Sequence, residues 1–179
     1  MLNLNVVPDL QEKIVPTVRK VMELFRDYIK KEGQDQGHRD TGKMLDTLEI
    51  VVNEESGQVT GKLLAEGYSV FVQTGIAAGR VNYPIRVMVD WWKRKGLNEK
   101  DATRAAWATR TKHKREGIGT KAANAFSKTG KRVNFVSDGL AKALFEAQNL
   151  FEKELDTIIE FEISEYFRAD LRPTFHIEI

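Results

Sequence analysis

Cysteine is absent from the 179-residue chain. That excludes disulfides and thiolate metal sites, and fits an intracellular or assembly-stage protein. Histidine is scarce: His38 falls in a polar stretch, His113 on a basic helix and His176 in a terminal strand pattern. None has a second ligand-type residue at metal-binding spacing, and the lysines flanking His113 oppose a cation. No apolar run approaches the roughly 20 residues that span a bilayer. The start, MLNLNVVPDLQEK, lacks a basic leader and a long apolar region, so no secretory signal is expected. Serines are few, and none stands in a G-x-S-x-G elbow. Glu152, Glu154, Glu160, Glu162 and Glu165 read as a solvated helix face rather than an acid–base pair. The expectation is a protein that is not an enzyme and needs no cofactor and no metal.

What is there suits a soluble α+β protein. Hydrophobic residues make up 41% and charged residues 30%, and the length matches a single domain, 1–179. The net charge of +2 conceals a strong asymmetry. Residues 1–79 carry 9 Lys/Arg against 12 Asp/Glu, residues 80–132 carry 15 against 4, and residues 133–170 carry 3 against 9. A basic middle between acidic flanks suits nucleic acid or an acidic neighbour, including a copy of the same chain.

Leu10, Ile14, Val18, Val21, Phe25 and Ile29 set one apolar stripe on a first helix. Pro16 predicts that this helix starts near Val15 or kinks there. KKEGQDQG (30–37) reads as a polar loop, and Asp40 or Thr41 as the cap of a short helical turn. Alternation at Leu48, Ile50 and Val52, a turn at 54–57, and Val59, Gly61, Leu63 and Ala65 predict a hairpin over 47–65. Tyr68, Phe71 and Val72 favour a helical turn over a third strand. Pro84 begins a helix that ends at Gly96, and Asn98 caps another that Gly117 and Gly119 stop. Residues 120–137 have no sustained period and read as a long exposed loop, so 76–137 forms a basic helical and loop insertion. Asp138 is expected to cap a long helix with Leu140, Leu144, Ala147, Phe151, Leu155 and Ile158 on one face. After Pro173, Phe175, Ile177 and Ile179 alternate as a strand extension, 171–179. The small antiparallel sheet would then be the hairpin plus that strand, packed with the long terminal helices.

Three stretches bear on function. The loop GIAAGR (75–80) has two glycines four apart but lacks the Lys-Ser/Thr of a phosphate-binding loop, so a flexible connection is its plain reading. Trp91 and Trp92 point about 100° apart on a helix, so one is expected in the core and the other half-covered or in a subunit contact. RTKHKR (110–115) reads as a solvated helix end, or as a contact for nucleic-acid phosphate without interleaved aromatics for base stacking.

TGKMLDTLEI (41–50), GYSVFVQTG (67–75), IRVMVDWWKRKGL (85–97) and KREGIGTK (114–121), in that order, resemble the tail-component, or head–tail joining and tail-completion, proteins of tailed bacteriophages. Met44 and Leu45 match the leucine region of the first motif, and Tyr68, Phe71, Val72 and Gly75 match the second. The resemblance covers roughly residues 38–165. The family often has an Arg-Pro-Phe-like segment where this chain reads GIGTKAANAFSK, without proline.

The resemblance implies a virion neck protein made in the host cytoplasm, a homo-oligomeric ring of sixfold or twelvefold symmetry. Its partners would be portal, adaptor and tail proteins, with a weak contact to packaged double-stranded DNA and no membrane. The expected interface residues are Tyr68, Phe71, Gln73, Gly75, Trp91, Trp92, Lys112, Lys114, Arg115, Phe126, Phe135, Phe175 and Ile177. Arg80, Lys121, Lys128, Lys131 and Arg132 are the expected DNA-facing cations. The alternative is a nucleic-acid-binding protein that uses the basic stretch 80–132.

Overall fold

The computed structural model describes residues 7–38, 42–55, 58–119, 124 and 127–170. Among these are six helices and one two-stranded antiparallel sheet, an α+β arrangement as expected. The expected strand at 171–179 and the capping residues Asp40 and Thr41 lie outside the described residues. The chain forms two compact units. One comprises Met1–Tyr28, Leu48–Leu64 and Gly139–Ile179, the other Ile29–Thr47 and Ala65–Asp138. Helices α1 (Val7–Asp35) and α6 (Phe135–Asp170) each contribute residues to both.

In the first unit the hairpin strands are β1 (Glu49–Glu55) and β2 (Gln58–Leu64). Val52 pairs with Gly61 and Ile50 with Leu63, so these residues share one face. That face lies on α1: a Cβ at Gly61 would stand 2.7 Å from Met22 Cγ and 3.2 Å from Val18 Cγ1. The missing side chain lets the strand approach the helix. The other face carries Glu49, Asn53, Glu55, Gln58 and Lys62 to solvent, with Val51 and Thr60 half-buried among them. Glu54 and Glu55, expected in the turn, belong to β1, because pairing continues to Glu55 and Gln58.

Three bonds tie α1 to α6 in antiparallel order. Tyr28 donates to Glu146 at 2.6 Å, Lys20 to Glu154 at 2.8 Å, and Lys13 pairs with Glu162. Successive partners stand about two turns apart on each helix. Ala143 and Ala147 are fully buried on α6, whereas Leu140 and Leu144 are 38% and 52% exposed. The expected apolar stripe therefore holds from Ala147 onward, with Phe151, Leu155 and Ile158 half-buried, and only its first two leucines turn outward. Small residues take the closest approach, and the leucines at its edge remain outside. Pro16 also sits inside α1 rather than at its start, with the helix running from Val7.

The second unit is built on Ile29, Leu45 and Phe135, each about 1% exposed. Gly33 sits against two of them, since a Cβ there would lie 2.7 Å from Leu45 Cδ2 and 3.3 Å from Phe135 Cδ2. Here the expected polar loop at 30–37 is instead the last turns of α1, which continue to Asp35. Its polarity is satisfied internally: Gln36 is wholly buried and donates to Glu32 at 3.0 Å and to Asp138 at 3.2 Å. Helix α2 (Lys43–Asp46) follows Gly42, whose φ of 80° suits glycine, and buries Met44 and Leu45.

Helix α3 (Ser69–Thr74) is the helical turn that the pattern favoured. Pro84 precedes α4 (Ile85–Arg94). Asn98 caps α5 (Glu99–Glu116) by accepting the Asp101 N–H at 3.0 Å, as expected. Trp92 donates to Thr109 at 3.1 Å across the α4–α5 pair. No described helix is long and apolar enough to cross a membrane.

Candidate interaction site

The glycine loop closes on the end of α5. Ile76 and Ile118 form an isolated antiparallel bridge, with N–H to O distances of 3.3 Å and 2.8 Å. Each isoleucine follows a glycine of positive φ, Gly75 at 71° and Gly117 at 82°. A Cβ on Gly75 would lie 2.6 Å from Ile118 O, and one on Gly117 would lie 2.4 Å from Ile76 O. Gly79 N–H then donates to Lys114 O at 2.8 Å. The repeated Gly-Ile pair thus lets two backbones meet where any side chain would collide. This loop is pinned within its own unit.

Gln73, at the end of α3, performs the capping expected of Asp138. Its Oε1 accepts the Val136 N–H at 2.8 Å, its Nε2 donates to Ser137 at 2.8 Å, and its backbone O accepts from Asn134 at 2.7 Å. Helix α6 therefore starts at Phe135, and Asp138 lies in its first turn. There Asp138 accepts from Gln36 and pairs with Lys131 at 2.6 Å. Phe135, expected at an interface, is a core residue at 1% exposure, so the end of the 120–137 stretch packs inside its unit.

Other expected residues take varied positions. Tyr68 and Phe71 are 43% and 58% exposed, and Val70 beside them is 59% exposed. Trp91 and Trp92 are both half-buried, their rings edge-to-face at 4.7 Å, so neither fills the core alone. Lys95 lies over Trp91 at 5.4 Å, and Arg110 lies over the exposed Trp107 at 5.6 Å. Lys114 and Arg115 are exposed and Lys112 is half-buried. Arg80 is exposed, Lys128 pairs with Asp35 at 3.6 Å, and Lys131 is held by Asp138. Phe126, Lys121, Phe175 and Ile177 lie outside the described residues.

The second unit holds a cleft of about 260 Å³ lined by Gly37, His38, Gly42, Met44, Tyr68, Val72, Arg94 and Arg132. Arg132, half-buried, donates to Gly37 O at 2.7 Å. Burial and the nearby Arg132 charge push the His38 pKa down to about 4, so its ring is neutral at pH 7. Because the Gln36 amide nitrogen serves Glu32 and Asp138, its oxygen accepts the His38 Nε2–H at 3.3 Å. The ring packs on Phe135 with centroids 5.4 Å apart. Sequence reasoning missed this cleft. Its lining comes from α1's end, α2, α3, α4 and the segment before α6, and no linear motif joins them.

A second imidazole, His113, lies 2.9 Å from the Tyr83 hydroxyl, with the two rings edge-to-face at 6.0 Å. Burial lowers the His113 pKa and raises that of Tyr83, so it favours the uncharged form of both, and the His113 tautomer sets which of the two donates. Among the described residues no cluster of three or more potential ligand groups stands ready for a metal.

Charge divides along the two units. By sequence the first carries 9 Lys/Arg against 16 Asp/Glu, a net of −7, and the second 19 against 10, a net of +9. The first unit also leaves Phe145, Ile159, Phe161 and Ile163 of α6 between 42% and 75% exposed. No family model matches the chain, and no curated protein or solved structure is significantly similar to it.

Proposed function

We propose that the chain is a non-enzymatic structural subunit that assembles head to tail with its own copies, in the manner of a tailed-phage neck or tail-completion ring. The division of charge between the two units carries this reading. A unit of net +9 on one copy and a unit of net −7 on the next attract without self-complementary symmetry. Such a heterologous contact closes into a ring when the rotation per subunit divides a full turn. The exposed Tyr68, Val70 and Phe71 add an apolar anchor of the kind that concentrates at interface centres.

The resemblance of residues 41–50, 67–75 and 85–97 to neck proteins supplies the place in the particle, between portal and tail around the DNA channel. Cations not used between subunits, Arg80 foremost, then face DNA that must slide and so is held weakly.

Sedimentation velocity across a salt series tests the reading. Raising ionic strength from about 0.05 to about 0.5 M shortens the screening length roughly threefold, and assemblies held by charge dissociate. Lys112→Glu, Lys114→Glu and Arg115→Glu together are expected to block assembly at low salt while leaving the fold intact. Assembly by this triple variant rules out that basic surface as the joint. Tight, steeply salt-dependent binding of the monomer to unrelated duplex DNA would instead favour a nucleic-acid-binding protein.

A further inference from the structure

Two exposed helical rows, one in each unit, are matched in spacing and opposed in charge. On α5, Lys100, Arg104, Trp107, Thr111 and Lys114 follow one another in steps of four and three, and all are exposed. The other side of that helix buries Ala102 and Ala106 and holds Trp92 through Thr109. The carboxylates of α5 are engaged off the row, Glu99 by Lys93, Asp101 by Asn98 and Glu116 by Arg115. Trp107, 51% exposed with Arg110 over its ring, stands at the middle of these cations.

On α6, Phe145, Gln148, Glu152, Asp156, Ile159 and Ile163 follow in steps of three and four and are likewise exposed. Glu146, Glu154 and Glu162 are engaged by Tyr28, Lys20 and Lys13 of α1. Ala143 and Ala147 are buried, so Glu152 and Asp156 stand on the outward side. Phe145, Ile159 and Ile163, between 42% and 75% exposed, flank those two carboxylates. The rows span about 21 Å on α5 and about 27 Å on α6.

We propose that the α5 row of one copy docks along the α6 row of the next, with cations against Glu152 and Asp156 and Trp107 among the apolar side chains beside them. Two α5 rows would set cation against cation, and two α6 rows acid against acid, so each row rejects its own duplicate. The joint is therefore heterologous. Steps of three and four form the ridges by which packed helices interdigitate. The apolar members exclude water from the centre of the contact, as aromatic anchors do at interfaces. This inference rests on head-to-tail assembly and names the two surfaces that meet. Duplex DNA would satisfy the α5 cations as well, but it gives the α6 row no role.

The experiment labels the wild-type chain with hydroxyl radicals as monomer and as assembly, and reads each residue by mass spectrometry. Trp107 and Phe145 are both expected to lose most of their labelling on assembly. Two double variants of the full chain then test the pairing. Lys100→Glu with Arg104→Glu, and Glu152→Lys with Asp156→Lys, are each expected to raise the half-assembly concentration at least about tenfold. Mixed in equal amounts they are expected to assemble near the wild-type concentration, because every joint then pairs reversed with reversed or native with native.

The wild-type footprint decides the matter even if the variants fold poorly. A wild-type chain that stays monomeric at low salt fails the head-to-tail reading, and this inference with it. Assembly that leaves Trp107 or Phe145 labelled, or a mixture no better than its components, overturns the inference alone. Phe145 already protected in the monomer overturns it in favour of cover by the chain's own residues 171–179. Trp107 protected by duplex DNA but left labelled in the assembly assigns the α5 row to nucleic acid instead.

Discussion

At Gly117 a hydrogen occupies the only space that the Ile76 carbonyl leaves. A methyl there would lie 2.4 Å from that oxygen at a φ of 82°. At Gly79 φ is 77°, yet nothing lies within 4 Å of the added carbon. Gly79→Ala should therefore cost only the left-handed conformation, about 1–2 kcal/mol. Gly117→Ala carries that cost and a backbone collision as well. Urea unfolding should show Gly117→Ala destabilised beyond Gly79→Ala, and equal losses would refute the close approach.

His38 makes a pH prediction at the same scale. Its folded pKa of about 4 lies below the ordinary 6.5, so between these values the unfolded chain binds more protons. Its stabilising contribution is complete above pH 6.5 and is lost as pH falls towards 4. Burial of His113 acts in the same direction. After discounting for partial solvent exposure, His38 contributes roughly 1–2 kcal/mol over this window. His38→Gln should flatten, without abolishing, the decline in denaturation midpoint between pH 6.5 and 4.

At the scale of elements, the two long helices are controlled from outside their own local sequence. Gln73 of α3 holds the first turn of α6, so Gln73→Ala should lose about 1 kcal/mol and speed amide exchange at Val136. Exchange unchanged at Val136 would separate Gln73 from the cap. Within α1, Pro16 supplies no N–H to the helical ladder, and the residue is exposed. Pro16→Ala should raise the denaturation midpoint, by about 1–3 kcal/mol in stability. A loss of stability would mean that the surroundings have adapted to the interruption. The hairpin was legible because period-two alternation survives on a two-stranded sheet with one covered face. The continuation of α1 through 30–35 was not, because its glycine and charged residues are favoured there by partners far along the chain, Leu45 and Phe135 among them.

Across the whole molecule the feature with most consequence is the opposed charge of the two units. The triple reversal at Lys112, Lys114 and Arg115 should lower the melting temperature only slightly, since Lys114 and Arg115 are exposed helix-end charges that contribute less than about 1 kcal/mol each and Lys112 is half-buried at the same helix end. Assembly should respond instead. A large fall in melting temperature would place those side chains in the protein's internal packing rather than in a contact between copies.

The linear order of residues by itself determined the α+β class, the hairpin, the Asn98 cap and the basic middle of the chain. These are local: each depends on periodicity, capping chemistry or composition within a few turns. Only the tertiary structure decided that the Gly-Ile-Ala-Ala-Gly loop is closed on the end of α5, and that Phe135 is core. It alone gathered Arg132, His38, Met44 and Tyr68 around one cleft. Those outcomes rest on contacts between segments separated by tens of residues, where the space left by one backbone decides which side chain another is allowed to carry.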